Sequence, residues 1–182
     1  MNYIFVWILV LLLNTLDHGI EAKYIVDVSP IIECDNGAPF ISVDLDNFNA
    51  INQEDDGDLF YNGSITFLKV FRSPWKFRLT SKRLERGTWQ PGMVSKEYPD
   101  LCTAMKNPFE TGLYKVTQKI TKNCPFEAGY VQIFDMVDIG TFGMDIPPSF
   151  AGEWKFYVDM WIPRGFRVDH ECYAFPATIL EA

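Results

Sequence analysis

The sequence predicts an all-β protein, a sandwich or barrel-like cup of about eight short antiparallel strands. Most of its segments alternate apolar and polar residues with a period of two, which is typical of half-buried strands. Turn signals such as Asp35-Asn36-Gly37, Arg86-Gly87 and Pro163-Arg164-Gly165 separate most of these segments. Strands of this length and spacing indicate a sandwich or a barrel.

Two segments, 75–80 and 154–160, show the alternation most clearly, because bulky apolar residues occupy every second position. Side chains two positions apart in a strand point to the same face. We therefore predict that seven residues face the interior: Trp75, Phe77, Leu79, Trp154, Phe156, Val158 and Met160. For each of them, packing in a filled core is the alternative to contact with a bound ligand.

The remaining elements follow from the same pattern. Further strands are predicted at Tyr24–Ile32, Phe40–Leu45, Ser64–Phe71, Leu113–Ile120, Gly129–Met136 and Phe166–Phe175. One short helix is predicted beside Cys102, over Lys96–Met105, with Pro99 tolerated only near its first turn.

The segment from Asp135 to Phe150 does not fit an ordinary strand. It contains two glycines and two adjacent prolines, yet it is rich in large apolar residues. A loop this apolar either folds onto a core as a lid or edges an apolar cavity. If it edges a cavity, the predicted rim residues are Met136, Val137, Phe142, Met144 and Phe150.

The beginning of the chain predicts export. The run Tyr3–Leu13 has no charge and is too short for a bilayer, which needs about 20 apolar residues. Polar residues and the small Ala22 follow it, as in a secretory signal peptide, although no Lys or Arg precedes it. We predict a signal peptide over 1–22 and one secreted, extracellular domain over 23–182. A short membrane anchor or a buried strand is the alternative.

The charge of the predicted mature chain argues against nucleic acid as a partner. It has 16 basic and 22 acidic side chains, a net charge of −6, because the predicted signal peptide contains Asp17 and Glu21 and no basic residue. Phosphates need neutralisation by Lys and Arg. The same balance argues against constitutive binding to anionic lipid surfaces.

All four cysteines lie after residue 22, and an even number in an exported protein indicates two disulfides. The residues alone leave three pairings of these cysteines open. The triplet Asn62-Gly63-Ser64 is an N-glycosylation acceptor, which export would make usable.

No catalytic, metal or cofactor site is predicted. The mature chain has one histidine, His170, on the same strand face as Cys172, and no Gly-x-Ser-x-Gly motif. The acidic cluster 54–58 lacks the ligand spacing of an EF-hand loop and is more typical of a solvated turn. Nothing in their spacing selects the carboxylates of Asp44 and Asp46 for glycoside hydrolysis. We therefore expect the protein not to be an enzyme.

The second half of the chain resembles a known family. The stretch Cys124–Tyr130, the pair Ile146-Pro147, the strand start Gly152-Glu153-Trp154 and the closing Cys172 are similar to the ganglioside activator family, within the MD-related lipid-recognition (ML-like) β-cups. With Tyr98–Cys102 upstream, the pattern resembles the insect chemosensory B proteins, a branch of that family. The resemblance covers roughly residues 95–175, and before them little more than Cys34 and the strand pattern.

The resemblance implies an antiparallel β-cup whose apolar interior accepts acyl chains, with disulfides Cys34–Cys172 and Cys102–Cys124. It implies a secreted carrier of a lipid or long-chain hydrocarbon that acts in insect chemosensation and pheromone response. A membrane receptor or channel on sensory cells and transient membrane contact are further implied partners. The ganglioside activator has eight cysteines against four in this chain, so a role in presenting glycolipid to a hydrolase fits less well. An extracellular adaptor with a filled core, binding a receptor or a glycan, is the alternative from another class.

Overall fold

The computed structural model describes residues 24–52, 59–138 and 147–181. Two antiparallel sheets contain most of this part of the chain, and the all-β prediction is confirmed. The described residues form ten strands instead of about eight: β1 Tyr24–Val28, β2 Ile32–Glu33, β3 Val43–Asp44, β4 Phe48–Asn52, β5 Leu59–Phe67, β6 Lys76–Glu85, β7 Thr88–Tyr98, β8 Tyr130–Asp138, β9 Gly152–Arg164 and β10 Arg167–Glu181.

The larger sheet has the strand order β1-β10-β9-β6-β7, and β2 also pairs with β10. Its centre is the long hairpin of β9 and β10, whose turn is Gly165-Phe166, at the end of the predicted turn signal Pro163-Arg164-Gly165. In the smaller sheet, β5 pairs with β3, β4 and β8. The register between β5 and β8 shifts at a bulge between Tyr61 and Gly63. Gly63 has a φ of +105°, and a Cβ there would collide with the carbonyl of Asn47, so only glycine fits.

Alternation along β9 divides its side chains between two environments, as the period-two pattern predicts. Val158, Met160 and Ile162 pack with Phe67 of the smaller sheet, so their face points into the sandwich. Tyr157 lies on the opposite face and packs with both cysteines of the Cys34–Cys172 disulfide. The interior therefore lies between the sheets, and the first disulfide lies on the outer side of the larger one.

Both disulfides match the pairing that the family resemblance implies. Cys34 joins Cys172 with 5.8 Å between their Cα atoms, and Cys102 joins Cys124 with 5.6 Å. Disulfides of these sequence separations, 138 and 22 residues, would stabilise the fold by at most roughly 5 and 3 kcal/mol in the chain-entropy description.

The helical regions differ from the prediction. The described residues contain two short α-helices, α1 Leu101–Ala104 and α2 Thr111–Thr117, and a single 3-10 turn at Pro148–Phe150. The helix at Cys102 is confirmed, but it begins at Leu101, because the side chain of Asp100 accepts a hydrogen bond from the backbone N–H of Cys102 and caps it. Residues 96–98 belong to β7 instead.

The strand predicted at Leu113–Ile120 is wrong, since residues 111–117 form α2. Leu113, Val116 and Ile120 are spaced for one face of a helix. Leu113 and Ile120 pack against the main core, which a helix achieves here and an alternating strand would not.

Several predicted strand boundaries also shift. The segment Tyr24–Ile32 is divided into β1 and β2 around Pro30, which lacks a backbone donor. Only Val43 and Asp44 of the segment Phe40–Leu45 form a strand, and neither β4 nor β7 was predicted. Among residues 24–52, 59–138 and 147–181, none of the helices is long and apolar enough to span a membrane.

A buried carboxylate joins the two sheets at one edge. Glu171 of β10 is 1% exposed, and it accepts hydrogen bonds from the backbone N–H groups of Ile41 and Ser42 at 3.0 and 2.9 Å. The hydroxyl of Ser42 donates a further bond to it, and the ammonium of Lys69 lies 3.8 Å away. Glu171 thus fixes the segment that leads into β3.

Replacing Glu171 with Ala should lower the free energy of unfolding by about 3 kcal/mol or more. The change leaves several donors unpaired, and hydrogen bonds to a charged group contribute roughly 1.5–3 kcal/mol each. Urea denaturation measures the effect. The matched control is Glu153→Ala on β9, where the side chain is exposed and a change within about 0.5 kcal/mol is expected. Equal stability of the two variants would contradict a sheet-joining role.

Candidate functional site

An apolar cavity lies between the two sheets, close to α1. Its volume is about 120 Å³, and both sheets contribute to its wall. Ten residues line it: Phe40, Val43, Leu45, Ile65, Phe67, Trp75, Phe77, Leu101, Met160 and Tyr173. None of these side chains is ionised at neutral pH, and only Trp75 and Tyr173 have an N–H or O–H group.

A second, larger space adjoins the cavity. This outer groove has a volume of about 440 Å³ and is formed by β2 and the segment after it, with residues Ile31, Ile32, Glu33, Gly37, Ala38, Pro39 and Phe40. Phe40 lines both the cavity and the groove, and its ring lies 4.7 Å from that of Tyr173. The Phe40 side chain is therefore a common wall between the two spaces.

The carboxylate of Asp100 fixes the inner end of the cavity. It accepts hydrogen bonds from the backbone N–H groups of Trp75 and Cys102, each at 3.1 Å, and from the hydroxyls of Ser73 and Thr103. The N–H of Leu101 in turn donates to the carbonyl of Trp75 at 2.6 Å. These bonds hold Trp75 and Leu101, two lining residues from distant parts of the chain, side by side.

The ionisable groups of this region respond to burial and to hydrogen bonding. Burial alone would raise the pKa of Asp100, but the hydrogen bonds from Ser73, Thr103, Trp75 and Cys102 outweigh it and hold that pKa below its usual value. Burial raises the pKa of Tyr173 to about 12, and burial likewise raises that of Tyr61. Both phenols are therefore neutral at physiological pH.

The structure brings only some of the predicted interior residues to the cavity. Trp75, Phe77 and Met160 line it, whereas Leu79 and Val158 pack in the same core without being among the lining residues. Trp154 lies in a second cluster with Tyr24 and Ile179, and Phe156 packs against that cluster. These residues lie on the predicted face but at different positions along the strand direction, so only some of them reach the cavity.

The predicted rim residues that lie within the described part of the chain do not line the cavity or the groove. Met136 is 45% exposed at the bulge of β8, and Val137 is half-buried opposite Tyr61. Phe150 stacks on Trp154 with 5.1 Å between ring centroids. None of these three lines the cavity or the groove, and Phe142, Met144 and the acidic cluster 54–58 lie outside the described residues. The predicted glycosylation site Asn62 is half-buried on β5, opposite Asn49 of β4.

Seven lining residues were not among the predicted interior residues: Phe40, Val43, Leu45, Ile65, Phe67, Leu101 and Tyr173. All of these except Leu101 lie in segments that the sequence pattern predicts as strands, namely 40–45, 64–71 and 166–175. Leu101 had no such signal, because its place depends on the cap at Asp100 and on the contact with Trp75.

The one histidine that the sequence analysis considered lies on the outer side of the larger sheet. His170 stacks on Trp161, with ring centroids 4.9 Å apart, and its Nε2 is 2.7 Å from a carboxylate oxygen of Asp159. Arg78 donates to the same carboxylate at 3.0 Å. Within the part of the chain that the structure describes, no three His, Cys, Asp or Glu side chains are grouped so that they could hold a metal ion.

Comparison with models of known protein families yields no match to this chain. A search of curated proteins likewise finds no similar sequence.

Replacing Asp100 with Ala should lower the free energy of unfolding by about 2–3 kcal/mol at neutral pH, because it removes a helix cap and leaves buried backbone donors unpaired. Asp100→Asn should be much milder, since its amide oxygen still caps the helix. Thermal or urea denaturation checks both, with the exposed Asp27→Ala on β1 as the control.

The carboxylate of Asp100 also makes the stability of the protein depend on pH, and the direction of this dependence follows from its lowered pKa. Because the folded pKa of Asp100 is lowered, its contribution to stability is complete above the unfolded value of about 3.9 and is lost as pH falls through the folded pKa. Asp100→Asn should therefore lose less stability than the wild type between neutral pH and strongly acidic pH. If the two proteins lost equal stability as the pH falls, this result would contradict the assigned hydrogen bonds.

Proposed function

We propose that this protein is a secreted, non-enzymatic binder and carrier of a lipid or another long-chain apolar molecule. The observation that supports this most is the cavity between the sheets, whose ten lining residues are all uncharged and nearly all apolar. Ligand sites are typically concave and lined mainly by hydrophobic and aromatic side chains. Burial of each CH₂ group of a ligand contributes about 0.8 kcal/mol, so an acyl chain needs few polar contacts.

The volumes of the cavity and the groove indicate how a long apolar molecule would be bound. An apolar cavity of roughly 150 Å³ can hold benzene, so the 120 Å³ cavity suits a group of a few carbons. The groove of about 440 Å³ is within the usual range for ligand pockets, and Phe40 separates the two. A long chain would place one end in the cavity and the rest in the groove, with the Phe40 ring turned aside.

Export and the biological setting belong to the same proposal. The two disulfides favour an oxidising compartment, in agreement with the predicted signal peptide, and the acceptor at Asn62 would then be available for glycosylation. The resemblance to the insect chemosensory B proteins suggests a role in pheromone response, with a receptor or channel on sensory cells as a partner. Transient membrane contact would be needed if the ligand is taken from or delivered to a membrane.

The second candidate is an extracellular adaptor that binds a receptor or glycan through its surface. Two observations favour it: the cavity between the sheets is smaller than the roughly 300 Å³ of a typical ligand pocket, and β8 presents the exposed residues Val131 and Ile133. Stacked rings also fill part of the interior, for example Phe67 on Phe126 at 4.6 Å. Presentation of glycolipid to a hydrolase is a variant of the carrier proposal that needs a further docking surface.

The carrier proposal is tested by filling the cavity. Val43→Phe introduces a ring where Val43 lines the cavity, whereas Val131→Phe makes the same change at a side chain that is 46% exposed on β8. We expect the wild type and Val131→Phe to bind N-phenyl-1-naphthylamine, an uncharged apolar fluorophore, saturably, and Val43→Phe to bind it at least tenfold more weakly. Thermal melting shows whether both variants remain folded.

Native mass spectrometry of protein from an insect-cell secretion system provides a second measurement. Apolar adducts on the wild type and their loss from Val43→Phe would support a carrier. An absence of adducts together with no uptake of the fluorophore by the wild type would overturn the proposal and leave the adaptor as the better account.

A further inference from the structure

The hairpin of β9 and β10 extends beyond its neighbouring strands at one end of the larger sheet. β6 pairs with β9 only as far as the partners Lys76 and Trp161. In the part of the chain that the structure describes, the strand residues between 162 and 169 pair only with each other. Each strand residue adds about 3.3 Å, so Arg164, the last residue of β9, lies about 10 Å beyond Trp161. The tip of the hairpin therefore projects from the sandwich.

A fully exposed aromatic side chain lies at this tip. Phe166 is in the two-residue turn that joins β9 to β10, and none of its surface is buried by the rest of the fold. Val168, opposite Pro163, is 62% exposed beside it. Turns favour Gly, Pro, Asn, Asp and Ser. A Phe in this place contributes no packing to the folded chain, so its apolar surface is available to a contact outside the chain.

The charged residues of the hairpin tip are mainly basic. Arg164 and Arg167 lie on either side of the turn, and they are directly opposite each other in the pairing of β9 with β10. The one acidic side chain between residues 162 and 169 is that of Asp169, which lies 3.4 Å from the guanidinium of Arg164. Arg167 is exposed next to Phe166. An apolar side chain and a positive charge are therefore presented together.

A neighbouring loop adds further basic residues. Arg164 donates a hydrogen bond of 2.5 Å to a backbone carbonyl of the loop 68–74, so this loop lies against the hairpin. Its ionisable residues are Lys69 and Arg72, and it contains no acidic residue. Arg72 is exposed, while Lys69 lies 3.8 Å from the buried Glu171. The positive charge at this end of the sandwich thus comes from two segments of the chain.

The cavity lies at the same end of the sandwich as the hairpin tip. Met160, which lines the cavity, is on β9 two residues before Ile162, which is fully buried. Phe67, another lining residue, has its ring 5.2 Å from that of Phe71, and the Phe71 ring lies under the guanidinium of Arg164. A surface that contacts the hairpin tip would therefore come close to the cavity.

We propose that the hairpin tip, centred on Phe166 and Arg167, docks the protein onto the interface of a lipid bilayer that contains anionic lipid. The Phe166 ring enters the headgroup boundary, and the guanidinium of Arg167 binds lipid phosphate. The inference rests on the proposed function, whose membrane contact it assigns to named residues, and its test uses no ligand of the cavity.

A bilayer suits this tip better than a protein partner does. Stable protein interfaces bury about 800 Å² on each side, which is more than a single turn offers. A bilayer interface accepts a protruding apolar side chain without a complementary pocket, and anionic headgroups attract Lys and Arg close to the surface. One aromatic ring and a few basic residues give a weak, reversible contact, as expected of a chain that is acidic overall.

Flotation with unilamellar vesicles tests the proposal. The vesicles contain phosphatidylcholine alone or with about 30% phosphatidylserine, at low ionic strength. We expect the wild type to bind the anionic vesicles and Phe166→Ser to bind them at least about fivefold more weakly, because it loses the burial of a ring. Arg167→Gln should weaken binding about two- to fivefold on anionic vesicles and leave binding to phosphatidylcholine unchanged.

The matched control is Phe109→Ser, which makes the same change at another exposed ring. Phe109 is 89% exposed, and its neighbour Glu110 is bound at 2.8 Å by Lys96 of β7, two strands away from β10. This variant should bind vesicles as the wild type does. Thermal melting shows whether all variants remain folded, and little change is expected because each substituted side chain is exposed.

The outcomes separate docking from carriage. If the wild type binds neither kind of vesicle, or if Phe166→Ser binds as the wild type does, the docking inference is overturned, and the carrier proposal stands on its own binding measurements. Equal losses in Phe166→Ser and Phe109→Ser would also overturn it, because the contact would then not be specific to the hairpin. Vesicle binding without uptake of an apolar fluorophore would support docking and contradict the carrier.

A second measurement locates the ring within the bilayer and keeps an aromatic side chain at each position. Phe166→Trp and Phe109→Trp are compared in vesicles whose acyl chains carry bromine, which quenches nearby indoles, and the emission of the wild type is subtracted. The added emission of Phe166→Trp should be quenched and that of Phe109→Trp should not. Equal quenching of the two, or none at position 166 while the protein is bound, would overturn the assignment.

Discussion

The carboxylate of Asp100 is the interaction on which the interior of this protein most depends. It binds the backbone of Trp75 just before β6 and that of Cys102 in α1, and so joins the larger sheet to the helical segment. The Cys102–Cys124 disulfide extends this connection to Phe126, which pairs with Phe71 through two backbone hydrogen bonds of 2.9 Å. A polar group thus organises a neighbourhood of apolar side chains, and its bonds are directional where hydrophobic packing is not.

This framework explains why an apolar space persists between the sheets. Interiors normally pack without voids larger than a water molecule, and a void loses contacts along its whole lining. Here the inner wall is fixed by Asp100 and a disulfide, and the segment that contains Phe40 is fixed by Glu171 through Ile41 and Ser42. Neither wall can move inward without breaking charged hydrogen bonds, so the space between them is preserved.

The sequence predicted the sheet faces well and the positions along them poorly. Alternation places Trp154 and Met160 on one face of β9, yet Met160 lines the cavity and Trp154 belongs to a separate cluster. A period of two shows only which face of the sheet a side chain lies on. The position of the side chain along the strand, relative to its neighbours, depends on the pairing with the next strand, as in the pairing of Phe77 with Met160. Likewise, 113–120 fits both a strand and a helix, and only its packing against the core decides for α2. Phe40 lies in a predicted strand, but the sequence pattern does not indicate its place at the cavity, because that place depends on the distant Glu171 and Tyr173.

Charge is distributed so that the two sides of the larger sheet have different chemistry. The outer side pairs acids with bases and aromatic rings: Asp35 binds Lys82 at 2.9 Å, and Lys76 and Arg78 lie over the ring of Trp161. The residues that line the cavity include no ionised side chain, so its shape and few polar groups are the features by which it can distinguish molecules. Dispersion and burial act on any apolar chain of suitable width, and discrimination among such chains requires a directional group. Phe40 lines both the cavity and the groove, so its ring would govern how much of such a chain can pass from one space to the other.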